Sequence, residues 1–450
     1  MKALVWIAKG LAAVAALVVL VWGISRALPV PAEHRQARAL LEADPGFTGR
    51  NGFAALWFLP YEGIPEDRHA ELLARDVAAQ QEIVARRVAA QQAGQETDLP
   101  VPPPSVAAGL WPRVDIRARP ACGLAELDCL DKVRTAPQDY AKALEDQQGL
   151  LARIAALGDY DYVQSPLPQD TSTPLPELQV LARAYTAHAL AHAQGRSDEA
   201  LVGLCRSVVT GRMLMSRSDS LVLAMMGSSL VHASSRLFSQ VLAELPADHP
   251  LPAGCSDAFA LPAPAELSAC NAMRGEYRMV TSIWPTLRRE DKRGVWLLLD
   301  EDKSIGRQAW VLAPACTEQA AAALAQDAPP PPAPQINASP WTLRCAANTV
   351  GCIVTSIAGP AYTDYPARLQ DAGAQLRLVS ILLWLRGQPG DGDVAARLAG
   401  LPGPLRSPSR AVSVSADGRW LEMPAYSSRE ATKPQVALPL QPSDAAAGAH

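Results

Sequence analysis

A mainly α-helical protein is what this sequence predicts: an N-terminal transmembrane helix, then an irregular multi-helix domain, with a small C-terminal β-hairpin. Of its 450 residues 49% are hydrophobic but only 5% aromatic, so alanine and leucine supply most of the apolar surface, as suits closely packed helices. Apolar positions recur at helical spacing in one segment after another. The strongest strand signal is the Asp417-Gly418 turn between AVSVS and RWLEM. A net charge of −4, from 41 basic and 45 acidic residues without a dense Lys/Arg stripe, argues against nucleic acid as a partner.

The first element is ALVWIAKGLAAVAALVVLVWGIS, from Ala3 to Ser25, in which Lys9 is the one charge. As a helix it extends roughly 34 Å, enough to cross a hydrocarbon core of about 30 Å. Trp6 and Trp22 stand near its ends, where amphipathic rings favour the headgroup zone. Lys2 and Lys9 precede the long apolar run, so the positive-inside tendency keeps the N-terminus cytoplasmic, although Arg26, Arg35 and Arg38 oppose it from the far side. The competing reading is a cleaved signal peptide, because Ser25-Arg26-Ala27 loosely satisfies the small-x-small pattern. The uncharged run from Gly10 to Ser25 exceeds the ~7–15 residues of a signal core and favours an uncleaved signal-anchor. Either way the bulk of the chain is expected in the periplasm, with single-pass attachment to the inner membrane in the anchored case.

Residues 28–112 form an expected membrane-proximal region: an apolar patch of Phe53, Leu56, Trp57, Phe58 and Leu59, a mostly polar surface helix opened by Pro65-Glu66-Asp67, and a proline-rich linker over 99–112. Residues 113–326 form the expected main helical domain. Within it, APQDYAKALEDQQGLLARIAAL, residues 136–157, carries one helical apolar stripe. LARAYTAHALAHAQGRSDEALVGLCRSVV reads as a helical hairpin turning at Gly195-Arg196-Ser197-Asp198, with Ser197 or Asp198 able to cap the second helix. It has the form of one tetratricopeptide hairpin, but no second copy follows, so no array is predicted. DAPPPPAP opens a second proline-rich linker, 327–340; 341–430 carries a helix and the hairpin; 431–450 is expected to be disordered.

Export permits disulfides, and the eight cysteines are an even number. No C-x2-4-C zinc knuckle or C-x-x-C redox pair occurs. Cys122 and Cys129 are seven residues apart, as are Cys345 and Cys352. Along a continuous helix that spacing would put the Cα atoms about 10.5 Å apart, too far for a bridge, so each pair requires a folded-back loop. Gly123, Asn348 and Gly351 permit one. Cys255 and Cys270 flank a proline-rich segment and are a third expected pair; Cys205, in an apolar helical setting, reads as a buried inert thiol, and Cys316 is left unassigned.

Chemistry is thinly signalled. His188 and His192 share a helix face in H-x-x-x-H, but Ala189 stands where a metalloprotease helix carries glutamate, and a packed histidine pair is the preferred reading. Glu276, among Arg274, Tyr277 and Arg278, reads as an ion-paired helix carboxylate before it reads as a catalytic one. Asp300-Glu301-Asp302 lacks the glycine and distal glutamate of a calcium loop. No phosphate-binding loop, dinucleotide fingerprint or nucleophile elbow appears, and serines such as Ser228 and Ser229 are unspecific. No metal or cofactor is predicted.

Several segments together resemble a group of uncharacterised single-span envelope proteins of Gram-negative bacteria. They are NGFAALWFLPY, CGLAELDCLDKV leading into DYAKALEDQQGLLARIAAL, the hairpin ending GRSDEAL, the RGEY helix, and QLRLVSILLWL with LAGLPGPLRSP. The resemblance implies an exported helical protein with a short cysteine loop and implies no activity. The expected function is an envelope interaction or scaffold protein, tethered to the inner membrane and partnered by another envelope protein through the hairpin around 175–215. The alternative is a periplasmic hydrolase or small-molecule-binding protein using His188, His192 or Glu276 between helices.

Overall fold

In a computed structural model of the chain, the described residues are 2–93, 105–116, 120–289, 294–332, 334, 342–388, 393–429 and 433–439. The apolar leader forms α1 (Lys2–Ala27), whose spanning window lies outside the protein interior. Next come α2 (Ala32–Glu42), the short α3 (Phe53–Trp57) and α4 (His69–Gln92). The aromatic patch on α3 is buried against α4, and Asp76 of α4 accepts bonds from Trp57 Nε1 (2.8 Å), Ser105 Oγ (2.6 Å) and the Val106 N–H (2.7 Å).

The stretch expected as one helix over 136–157 is divided into α6 (Pro137–Leu144) and α7 (Gln148–Ala156), after α5 (Cys129–Thr135). A 3-10 turn at Glu145–Gln147 separates them and buries Gln147, so the two halves turn their apolar sides to different neighbours. The predicted hairpin is α8 (Ala182–Ala193) and α9 (Ser197–Ser216), turning through Gly195 at φ +80°. Its expected cap is not formed: Ser197 Oγ instead meets His192 Nδ1 (2.9 Å), and Asp198 Oδ1 meets His249 Nε2 (2.8 Å).

Helix α10 (Leu221–Glu244) is the axis of the fold, packed on α9. It is long and apolar enough to span a membrane but lies mostly inside the protein, as a core helix. Gly211 and Gly227 face each other across α9 and α10; a Cβ on either would press into the other's carbonyl, so this approach requires glycine at both positions. The chain continues through α11 (Cys255–Ala258), α12 (Cys270–Thr281), α13 (Ile283–Arg289), α14 (Glu301–Leu312), α15 (Glu318–Ala325), α16 (Thr349–Ala358), α17 (Tyr365–Arg386), which packs on α10, and α18 (Val394–Leu398).

The Asp417-Gly418 turn does join two strands, β1 (Ser413–Val414) and β2 (Trp420–Glu422), with Gly418 at φ +72°. A third strand, β3 (Gln435–Ala437), pairs antiparallel with β2, Leu421 opposite Val436. It arises from the tail expected to be disordered: Val436 is fully buried, and Gln375 on α17 brackets Gln435 with two backbone bonds, 2.8 and 2.9 Å. Residues 440–450 of that tail lie outside the described residues. The second proline-rich stretch begins inside the fold, with Asp327 buried beneath Arg410 and the Ala328 carbonyl accepting from Gln370 Nε2 (2.8 Å). One core cluster draws on residues from Ala37 and Leu41 to Val436 and Leu438, and a second unites the α3 patch with α7, α8 and the facing side of α9 and α10.

All eight cysteines are paired, which fits an oxidising compartment. Cys122–Cys129 and Cys345–Cys352 form as expected, with Cα separations of 5.6 and 6.0 Å. The expected Cys255–Cys270 bridge does not: Cys255 pairs with Cys205 and Cys270 with Cys316. Cys205 is therefore no free thiol. It stands on α9 where α11 packs, so helix packing, and not nearness in sequence, sets its partner.

Candidate functional site

Helix α9 lays Glu199, Gly203, Arg206, Ser207 and Thr210 along one face at helical spacing, opposite His188 on α8 and Leu151 and Ile154 on α7. Between them is a cleft of about 260 Å³, completed by Ala187, Val202 and Leu230. Its volume approaches the usual lower bound of about 300 Å³ for a ligand site, and an apolar floor with convergent polar groups is the usual composition of one. Gly203 has a local reason: a Cβ there would run into the His188 ring, so the imidazole occupies the space the missing side chain leaves.

His188 Nε2 lies 3.3 Å from Ser207 Oγ. Burial pushes the imidazole down to about 4, with Glu199 pulling weakly the other way, so it is neutral near pH 7 and a poor proton acceptor. Ser207 sits in mid-helix, where its own N–H is committed to the helix ladder and cannot stabilise an oxyanion.

His192, expected to share a site with His188, faces elsewhere. Its Nδ1 meets Ser197 Oγ and its Nε2 meets Glu244 Oε2 at 3.0 Å, with Arg134 bonded to the same carboxylate oxygen at 2.5 Å. The His192 hydrogen bond, with Arg134, holds the Glu244 carboxyl down at about 2. Both ring nitrogens are thus engaged in joining α8 to α9, α5 and the end of α10. Among the described residues no group of three or more His, Cys, Asp or Glu is placed to hold a metal ion.

Glu276 on α12 does not form the expected ion pair among the described residues. It accepts from Tyr362 Oη at 2.9 Å, and burial pushes its carboxyl up. It borders a second hollow with Asp219, whose carboxyl burial raises to about 6 although the Ser165 N–H donates to it at 3.2 Å. At about 90 Å³ this hollow has room for a few waters and is too small for a substrate-sized ligand. Gly275 brings α12 against the Asp219 carbonyl, where a Cβ would collide with backbone.

Sequence reasoning missed Ser207, Glu199, Arg206 and Thr210. Their period on α9 was the available signal, weak because the same spacing describes any solvated helix face.

Burial also sets the response to acid. His188 and His34 are pushed down to about 4 and His232, beside Gln375, to about 3, each chiefly by desolvation. Folded, they resist protonation; unfolded, they titrate near 6.5, so the stability they carry is present above that pH and lost as pH falls toward the folded values. Asp219 acts in the opposite sense, its contribution present below its ordinary 3.8 and lost as pH rises through about 6. The three histidines outweigh it. Acidification from pH 7 to 4.5 is expected to destabilise the protein, and His232→Gln to remove about 2 kcal/mol of that loss, measured by urea denaturation at the two pH values. An unaltered pH dependence in the variant would show that His232 titrates alike in the folded and the unfolded chain.

Fold and cleft together define a disulfide-stapled, mainly helical protein with an apolar N-terminal helix. Compared with family models, curated proteins and solved structures, the chain matches none of them.

Proposed function

We propose that this chain is a single-pass inner-membrane protein whose periplasmic domain acts as an envelope interaction scaffold, holding an apolar group of a partner envelope protein in the cleft between α7, α8 and α9. The observation that carries the reading is the cleft itself: an apolar floor from Leu151, Ile154 and Leu230, bordered by Glu199 and Arg206 of opposite charge, on the α8–α9 hairpin. An inserted apolar side chain flanked by a polar rim is the usual anatomy of a protein-binding hot spot.

Retention of α1 is supported by how its last turn is built into the domain. Ser25 is fully buried, its Oγ accepts from the Ala347 N–H at 2.9 Å, and Lys303 Nζ bonds the Ser25 and Arg26 carbonyls at 2.8 and 3.0 Å. Those carbonyls are the unsatisfied C-terminal groups of the helix, and a cation there complements the dipole. The small-x-small sequence at 25–27 is thus part of a packed joint.

A photoreactive residue at Val202, which is exposed on the cleft margin, is expected to yield one dominant protein adduct in intact cells. Ala155→Trp, which fills the cleft from α7, is expected to abolish that adduct. Adducts as dispersed as those from Val222, exposed on α10, would remove the cleft from the account.

A second reading, a periplasmic hydrolase, draws on the Ser207–His188 bond. It requires a stronger base and an oxyanion donor than this geometry offers. Loss of biological role in Ser207→Ala with the Val202 adduct intact would nevertheless establish it.

A further inference from the structure

Helix α16 is ten residues long, TVGCIVTSIA, and contains no charge. One side, Gly351, Cys352 and Thr355, is buried against α14, where a Cβ at 351 would strike Ser304 Oγ. The opposite side carries Ile353 and Ile357, one turn apart, and Ile357 is 76% exposed. Beside it the 3-10 turn Val295–Leu298 exposes Leu297 and Leu298. Four large aliphatic side chains standing free on neighbouring elements form an apolar face that a soluble surface seldom leaves open.

Its position tells what covers it. Trp22 Nε1 of α1 donates to the Leu297 carbonyl at 2.5 Å, and Arg26 Nη1 to the Leu299 carbonyl at 3.0 Å. Trp22 lies inside the apolar run, four residues or roughly 6 Å before Arg26 along the helix axis, so Leu297 is fixed at the depth where a tryptophan borders the headgroups. The Cys345–Cys352 bridge ties the first turn of α16 to the loop that bonds Ser25, which holds α16 at the same end of α1.

We infer that the exposed face of α16 and the Leu297-Leu298 turn is a second membrane contact, seated in the interfacial layer of the leaflet from which α1 emerges, so that the domain lies on the bilayer and does not hang from it. This rests on α1 remaining in the membrane. The occupant is lipid, argued from the bonded continuity with α1; burial of such a face reaches about 5–10 Å below the headgroup boundary.

All native cysteines are paired, so a single introduced cysteine is the one thiol open to a spin label. The full chain is reconstituted in nanodiscs of phosphatidylethanolamine and phosphatidylglycerol, with labels at Val14→Cys, Leu298→Cys, Ile357→Cys and Val202→Cys read by accessibility to oxygen and to a water-soluble nickel chelate. The Val14 label reports the anchor, and Val202 is the aqueous reference. Labels at 298 and 357 are expected to show an oxygen-to-nickel ratio several-fold above that at 202, at a depth shallower than 14. If 14 lies in lipid while 298 and 357 match 202, the anchor stands and the second contact is overturned. If 14 itself is aqueous, the anchor reading fails and takes this one with it. Labels at 298 and 357 shielded from both reagents would assign the face to a second copy of the chain and overturn the lipid occupant.

Discussion

Replacing Arg410 by leucine is expected to cost the protein about 3–5 kcal/mol of stability, the usual consequence of stranding a buried charge. Arg410 is 3% exposed. Its guanidinium bonds Asp327 and, at 2.8 Å, Asp371, itself fully buried, and it donates to the Gln370 carbonyl at 3.1 Å. Asp371 also accepts the N–H groups of Tyr426 and Ser427, each at 2.9 Å, while Tyr426 lies under the guanidinium and donates its Oη to the Asp327 carbonyl at 2.6 Å. Even so, burial pushes the Asp371 carboxyl up. The residues concerned come from α17, the end of α15 and the chain around the small sheet, so the group fastens 407–428 to the body of the domain. The substitution should therefore also speed amide exchange at Leu421 and Val436 before it does so on α10. A loss below about 1 kcal/mol, within the range of a surface pair, would mean that the site is hydrated and the fastening lies elsewhere.

The second large effect concerns the staples. Opening a bridge restores entropy to the unfolded chain in proportion to the logarithm of the loop it closed. Cys205–Cys255 and Cys270–Cys316 close separations of 50 and 46 residues, against 7 for each of the other two. The expected losses are about 4 kcal/mol for the double alanine replacement of either long bridge and about 2 kcal/mol for Cys122–Cys129, read from urea midpoints. Peptide mapping of unreduced protein should recover all four pairs. Equal losses for long and short bridges would mean that native-state contacts, not loop length, govern their worth, and a recovered Cys255–Cys270 peptide would overturn the Cys205–Cys255 and Cys270–Cys316 pairing.

The same two bridges mark where sequence reasoning stopped. Cys122–Cys129 and Cys345–Cys352 were legible because each is closed within one short segment containing glycine or asparagine. The long pairs depend on α11 arriving beside α9, and on α12 lying near the chain that follows α14; neither proximity is encoded locally. The α8–α9 hairpin was legible from period and from Gly195, and the β1–β2 turn from Asp-Gly. β3 was not, because Gln375, whose side chain brackets Gln435, lies on α17, 60 residues earlier. The 136–157 segment read as one helix since periodicity cannot register a single 3-10 turn that changes direction. Of the site, His188 was named for its spacing to His192, yet its partner is Ser207 across the hairpin. Glu276 was expected to answer the arginines beside it in sequence and instead meets Tyr362, 86 residues away.

If α1 stays in a membrane, the joint at Ser25 leaves no leash between lipid and domain. With α1 retained, the domain drifts in the plane of the bilayer but cannot swing out to search the space above it. The cleft on α8 and α9 then travels at one constant height, and a partner must bring its own binding group to that level. Inserting a flexible stretch between Ala27 and Ala32 would relax this restriction by breaking the joint, trading a fixed altitude for reach.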